Sequence, residues 1–81
     1  MVKGREAMSY RVSAVIEADE HGYFAYCPEL PGCFSQGQAY EEALSNIREA
    51  IALYIETLDP EEREAISSKH ISTTSVEVSV A

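Results

Sequence analysis

Apolar and polar residues alternate from Tyr10 to Ala18: Tyr10, Val12, Ala14 and Ile16 point one way, Arg11, Ser13 and Glu17 the other. A period of two is the mark of a half-buried strand. Asp19-Glu20-His21-Gly22 interrupts the pattern as a turn, with Gly22 free to take a positive φ. Tyr23 to Cys27 reads as a second strand that is apolar on both faces, with Tyr23, Ala25 and Cys27 on one and Phe24 and Tyr26 on the other. Pro28 and Pro31 each fix φ and remove a backbone donor, so Pro28 to Gly32 ends the ladder as a rigid turn. Cys33 to Gly37 follows as a short third strand.

From Tyr40 the period changes. Spaced at 100° per residue, Tyr40, Ala43, Leu44, Ile47, Ile51, Tyr54, Ile55 and Leu58 fall within a sector of about 120°, the apolar stripe of a long amphipathic helix. Glu41, Glu42, Ser45, Glu49 and Glu56 take the opposite side, and Leu53 stands among them, placed to meet a neighbouring chain. Ala39 occupies the position where a Ser or Thr cap is expected, so the helix starts with a weak cap despite Glu42 at the third position. Asp59-Pro60-Glu61-Glu62 stops this helix and starts a short one running to about Ser68, with Asp59 as cap and Pro60 at the first helical position. Thr74 to Val80 returns to a period of two: Val76, Val78 and Val80 on one face, Ser75, Glu77 and Ser79 on the other.

The predicted order is βββα(α)β, an α+β domain over residues 9–81 preceded by a flexible arm over residues 1–8. Three strands form an antiparallel meander. A right-handed crossover through the long helix sets the fourth strand beside the first and parallel to it. The helix covers one face of the sheet, so Phe24 and Tyr26 are expected on the uncovered side, where exposed aromatics indicate a partner.

Charge narrows the partner. The formal net charge is −8, and three of the six basic residues, Lys3, Arg5 and Arg11, lie in the first eleven positions. From Val12 onward Arg48, Arg63 and Lys69 face thirteen carboxylates, a net of −10. That body repels phosphate backbones, which argues against direct nucleic-acid binding. It suits a basic protein partner, or serves simply to keep a small domain in solution. A chain of 81 residues buries a modest core, and association of copies is a common remedy at this size, so a homodimer or higher homo-oligomer is expected. No apolar run approaches the roughly 18 residues that span a bilayer, and the N-terminal segment has no apolar core of the kind a signal peptide needs; the expected location is the cytoplasm, away from membranes.

Little in the chain suggests chemistry. The sheet order just derived is that of a truncated ribonuclease H-like fold, whose enzymes hold metal ions on clustered carboxylates. Here the centre of the first strand, Val12 to Ile16, contains no acid, leaving only Glu17 near its end and Glu77 on the last strand. Cys27 and Cys33 have no adjacent base in sequence, and their spacing with His21 and His70 fits no common zinc site. In a reducing compartment both are expected as free thiols, although they flank one turn and a disulfide between them is conceivable. No cofactor, metal or catalytic residue is expected.

The run Cys27-Pro-Glu-Leu-Pro-Gly-Cys33, the following Ser35-Gln-Gly37 and the helix Glu41-Glu-Ala-Leu-Ser-Asn-Ile-Arg-Glu-Ala-Ile51 resemble the core of the HicB antitoxins, with the similarity running from about Tyr10 to Val80. The resemblance implies a degenerate ribonuclease H-like fold without a nuclease site. It also implies a partner: family members neutralise HicA toxins, small basic ribonucleases, by covering their active surface. Many members carry a further C-terminal DNA-binding domain. This chain ends at Ala81, directly after the last expected strand, so promoter binding by it alone is not expected. Candidate contact residues are Phe24 and Tyr26 on the open face, Glu29, Leu30 and Phe34 in and beside the rigid turn, and Leu53 on the helix. The turn has an equally good reading as plain hairpin geometry. The competing function is a homo-oligomeric structural or regulatory domain that has no toxin partner.

Overall fold

The computed structural model describes residues 9–81; the arm expected at residues 1–8 lies outside them. Three strands make an antiparallel meander in the order β1-β2-β3: β1 is Val15–Asp19, β2 Gly22–Tyr26 and β3 Phe34–Gly37. Asp19 pairs with Gly22 and Val15 with Tyr26 across the first hairpin, while Tyr23 pairs with Gly37 and Tyr26 with Phe34 across the second. Two helices follow, α1 over Tyr40–Glu56 and α2 over Pro60–Ser67.

The first strand is shorter than its alternation predicts. Carried further, the β1–β2 register sets Ser13 opposite Pro28, which has no N–H to offer. The ladder therefore stops at Val15, and the Ser13 N–H donates instead to Glu29 Oε1 at 2.9 Å. Tyr10 and Val12 still pack against the core, so the apolar row is kept where the hydrogen-bonded ladder is lost.

Between β2 and β3 the Pro-rich segment forms two consecutive turns. The Leu30 N–H donates to the Cys27 carbonyl, the Cys33 N–H to the Leu30 carbonyl, and the Cys27 N–H closes the loop on the Cys33 carbonyl, each at 3.0 Å. Pro31 followed by Gly32 at φ 82° is the pair a type II turn requires. This folded loop carries Cys27, Leu30 and Cys33 into the core beside Ala25, Ala43, Ile47, Ile55 and Ile66.

The α1 stripe packs on the face of the sheet that carries Ile16 and Ala25. Ala43, Ile47 and Ile55 are buried and Leu44, Ile51, Tyr54 and Leu58 half-buried; Tyr40, in the first turn, is half exposed rather than part of the core. Ala39 makes no side-chain cap, as its sequence predicts, but Glu42 reaches back to accept from the Gln38 N–H at 2.6 Å. Asn46 Nδ2 donates to the Gln36 carbonyl at 2.8 Å, and the Tyr54 hydroxyl donates to the Pro31 carbonyl at 2.9 Å, so α1 is tied to both ends of β3's approach. Gly37 is what allows the contact: a Cβ there would lie 2.6 Å from the Ala43 amide nitrogen. The α2 start is a full capping box, with Asp59 accepting from the Glu62 N–H and Glu62 from the Asp59 N–H. Arg63 on α2 donates from Nε to the Ile55 and Leu58 carbonyls and from Nη2 to the Glu56 carbonyl, supplying the positive charge that the last turn of α1 lacks.

The expected fourth strand is not in the sheet. After α2 the chain makes no helix or ladder, and Val76, Val78 and Val80 are 75%, 73% and 90% exposed. Both edges of the three-stranded sheet are therefore unpaired within the described chain, and the ribonuclease H-like order that a parallel β4 would complete is not formed in it. The architecture is α+β, three antiparallel strands and two helices.

Candidate functional site

Cross-strand partners share a sheet face. The registers above thus collect Val15, Glu17, Phe24, Tyr26, Phe34 and Gln36 on the side away from α1. Phe24 sits between the other two rings, 6.1 Å from Tyr26 and 5.7 Å from Phe34, each pair tilted by about a third of a right angle. Phe24 is 40% and Phe34 60% exposed. The three rings form one contiguous apolar patch on the surface opposite the core.

The surroundings of that patch carry a single sign. Between Val15 and Gly37 the chain has the exposed Glu17, Asp19 and Glu20, with Glu29 turned inward, and not one Lys or Arg. Glu17 stands directly opposite Phe24. Ring faces flanked by carboxylates are suited to Arg and Lys side chains, which stack on the rings while their charge meets the acid. In sequence Glu17 stands out as a polar-face residue of the first strand and an isolated metal-ligand candidate, not as a partner contact. The two-residue Glu20-His21 connection was the signal that places it beside Phe24, because the hairpin register follows from the turn.

Of the other expected contact residues, Leu30 is buried in the core, and Glu29 is only 8% exposed, so neither presents to a partner. The reason is the double turn, which aims both side chains inward. Glu29 is instead a fastener. Its Oε1 accepts from the Ser13 N–H at 2.9 Å and its Oε2 from the Ser13 hydroxyl at 3.0 Å, while the Cys27 thiol approaches Oε1 at 3.5 Å. Desolvation pushes its pKa up, but the bonds from the Ser13 and Glu29 amides, the Ser13 hydroxyl and the Cys27 thiol together outweigh it and hold the carboxyl below its ordinary value. Leu53, 58% exposed, projects from α1, which covers the other face of the sheet, and is not joined to the aromatic patch.

Cys27 and Cys33 are free, buried thiols. Burial, reinforced by the Glu29 carboxylate, pushes the Cys27 pKa up to about 11, and burial raises that of Cys33. Both are poor nucleophiles. Among the described residues no group of three or more His, Cys, Asp or Glu side chains is placed to hold a metal ion, and no helix is long and apolar enough to cross a membrane. Glu17 on β1 and Glu77 on the unpaired C-terminal segment do not meet on one sheet.

The chain is a small acidic α+β module whose formed surface feature is an exposed aromatic patch. Residues 10–79 match the family described as HicB_like antitoxin of bacterial toxin-antitoxin system, and the chain belongs to that family. It is 50% identical over 70 residues to a UPF0150 protein of Helicobacter pylori, covering 86% of this chain and 97% of that one. A UPF0150 protein of Thermoplasma acidophilum is 54% identical over 52 residues, 63% of this chain and 72% of its own. An uncharacterized 14.9 kDa protein in the rep-hol intergenic region of Haemophilus phage HP1 is 39% identical over 56 residues, 69% of this chain and 42% of its own length. No solved structure matches the chain.

Proposed function

We propose that this chain is a non-catalytic antitoxin module that sequesters a small basic toxin of the HicA ribonuclease type, and that the open aromatic face of the sheet makes the contact. The observation that carries the reading is the Phe24-Tyr26-Phe34 patch set in a segment that has three exposed carboxylates and no Lys or Arg. Family membership supports a toxin partner in general. Charge supports a basic one: an RNA-cleaving protein needs a cationic surface to hold its substrate, and an acidic cover competes for that same surface. In this reading the rings supply the buried anchors and Glu17 the charge register. The chain itself contacts no nucleic acid and works in the cytoplasm, where the toxin's RNA substrate is.

The test is to find a reading frame for a short basic protein beside this gene and to co-express the two. The expected result is relief of growth arrest and a complex that co-purifies, is weakened by salt, and is lost with Phe24→Ser plus Phe34→Ser while the circular dichroism of the variant is unchanged. A complex insensitive to both substitutions would move the contact elsewhere, and no rescue and no complex would end the reading.

A further inference from the structure

The C-terminal segment has the pattern of a strand and no partner, while the first strand has an open edge and no neighbour. In Thr74 to Val80 every second residue from Val76 is a valine, and those valines are the most exposed large apolar side chains of the described chain. β-Branched residues at a period of two are shaped for a pleated surface buried on one side. Leaving three of them in water is unfavourable, and a flat unpaired strand of this kind recruits an edge.

The edge it fits is on β1. Backbone polar groups of successive strand residues face alternate sides. The Ser13 N–H turns inward to Glu29, so the peptide groups of Val12, Ala14 and Ile16 turn to the vacant side. Alongside that edge runs a groove of about 670 Å³ between Tyr10–Ala14 and α1, its apolar lining including Tyr10, Val12, Leu44 and Ile51. A strand laid there with its valines toward α1 extends the row of Tyr10, Val12, Ala14 and Ile16. Glu77 then falls on the opposite face, the side of Arg11, one of the chain's few cations. Side-chain size, face parity and charge sign all agree.

We infer that Thr74–Val80 is a strand donated to a second copy of this chain, which receives it along the free edge of β1 and returns its own. A second copy is the fitting source because donor and acceptor are both unsatisfied in one chain, with the segment lying in solvent rather than across its own groove. Reciprocal exchange about a two-fold axis satisfies both sets at once, closes the assembly at two copies, and gives each sheet a fourth strand. The inference is independent of the toxin reading: it uses the β1 edge, whereas the aromatic patch lies on the sheet face and remains free in the dimer.

The test uses the full chain. Light scattering after size exclusion is expected to give a dimer at micromolar concentration, and Val76→Asp with Val78→Asp a species of half that mass. Phe24→Ser with Phe34→Ser should leave the dimer intact. In a mixture of two differently tagged chains, one carrying Ala14→Cys and the other Val78→Cys, oxidation should yield a covalent heterodimer. A wild-type monomer overturns the inference, and so does a double variant Ala14→Cys with Val78→Cys that forms only intrachain bonds, which means that the segment pairs with its own β1. If the aspartate variant does not fold, the cross-linking result decides.

Discussion

Replacing Glu29 tests whether the Pro28–Gly32 turn is held by chemistry or merely by its prolines. Glu29→Ala removes both acceptors of Ser13 and leaves the Ser13 N–H facing the turn without a partner, because the residue opposite it is Pro28. A hydrogen bond to a charged acceptor contributes about 1.5–3 kcal/mol, and one orphaned donor costs about 1–3 kcal/mol. These overlap, since the orphan is what the broken bond leaves, so the loss should be about 2–4 kcal/mol. A domain of 81 residues has about 4–12 kcal/mol in total, so the variant should show a large fall in the urea midpoint. Glu29→Gln, which keeps one oxygen for the Ser13 N–H and turns a donor toward the rotatable hydroxyl, should lose about half as much. The pH dependence gives a separate check. The folded-state pKa of Glu29 lies below its ordinary value of 4.5, so the unfolded chain takes up the proton first. Its contribution is therefore complete above pH 4.5 and disappears as pH falls through the depressed folded value. Urea melts of the wild type and Glu29→Gln between pH 7 and pH 3 should converge on acidification. Equal stability at pH 7, or parallel curves, would refute the role given to the carboxylate.

Three further outcomes are expected. Phe34→Ser should weaken a toxin complex by about thirtyfold, the effect of an anchor worth about 2 kcal/mol, while costing the fold about 0.5–1.5 kcal/mol for one ring contact; calorimetric titration and thermal melting separate the two. Gly37→Ala should destabilise by about 1–3 kcal/mol, because its Cβ meets the backbone of Glu42 and Ala43 and α1 must lift from β3; a variant as stable as the wild type would mean the helix does not sit that close. With its pKa at about 11, the Cys27 thiol should react with a thiolate-seeking disulfide reagent about a hundredfold more slowly at pH 8 than an ordinary cysteine, recovering full reactivity in urea; equal rates in both conditions would contradict its burial.

Local features of the fold were legible because each rests on neighbours in sequence. The two hairpins, the α1 stripe and the Asp59 cap all follow from period, turn residues and cap position, and all are present. What periodicity missed depends on residues distant in sequence. The alternation at Tyr10–Ala14 is real, but whether it forms a ladder depends on what lies opposite, and Pro28 lies opposite. Glu29 and Leu30 are contact candidates by their place in a rigid turn, yet two turns in succession fold their side chains inward, where Ser13 and the core meet them. The cap on the end of α1 comes from Arg63, a residue of the next helix.

The candidate site divides the same way. Phe24 and Tyr26 could be assigned to the open face from their two-residue spacing alone, and Phe34 joins them because the second hairpin sets it opposite Tyr26. Leu53 does not join, since a helix laid on one face of a sheet turns its polar side away from both. The valines of the C-terminal segment are the instructive case. Their period fixes which residues share a face and hence which surface can receive them, and the β1 groove matches in parity, size and charge. Period carries no information about which chain supplies that surface, because the same edge exists on every copy. Connectivity and concentration decide it, which is why the number of chains in the particle, rather than any finer description of one chain, discriminates between a closed monomer and an exchanged pair.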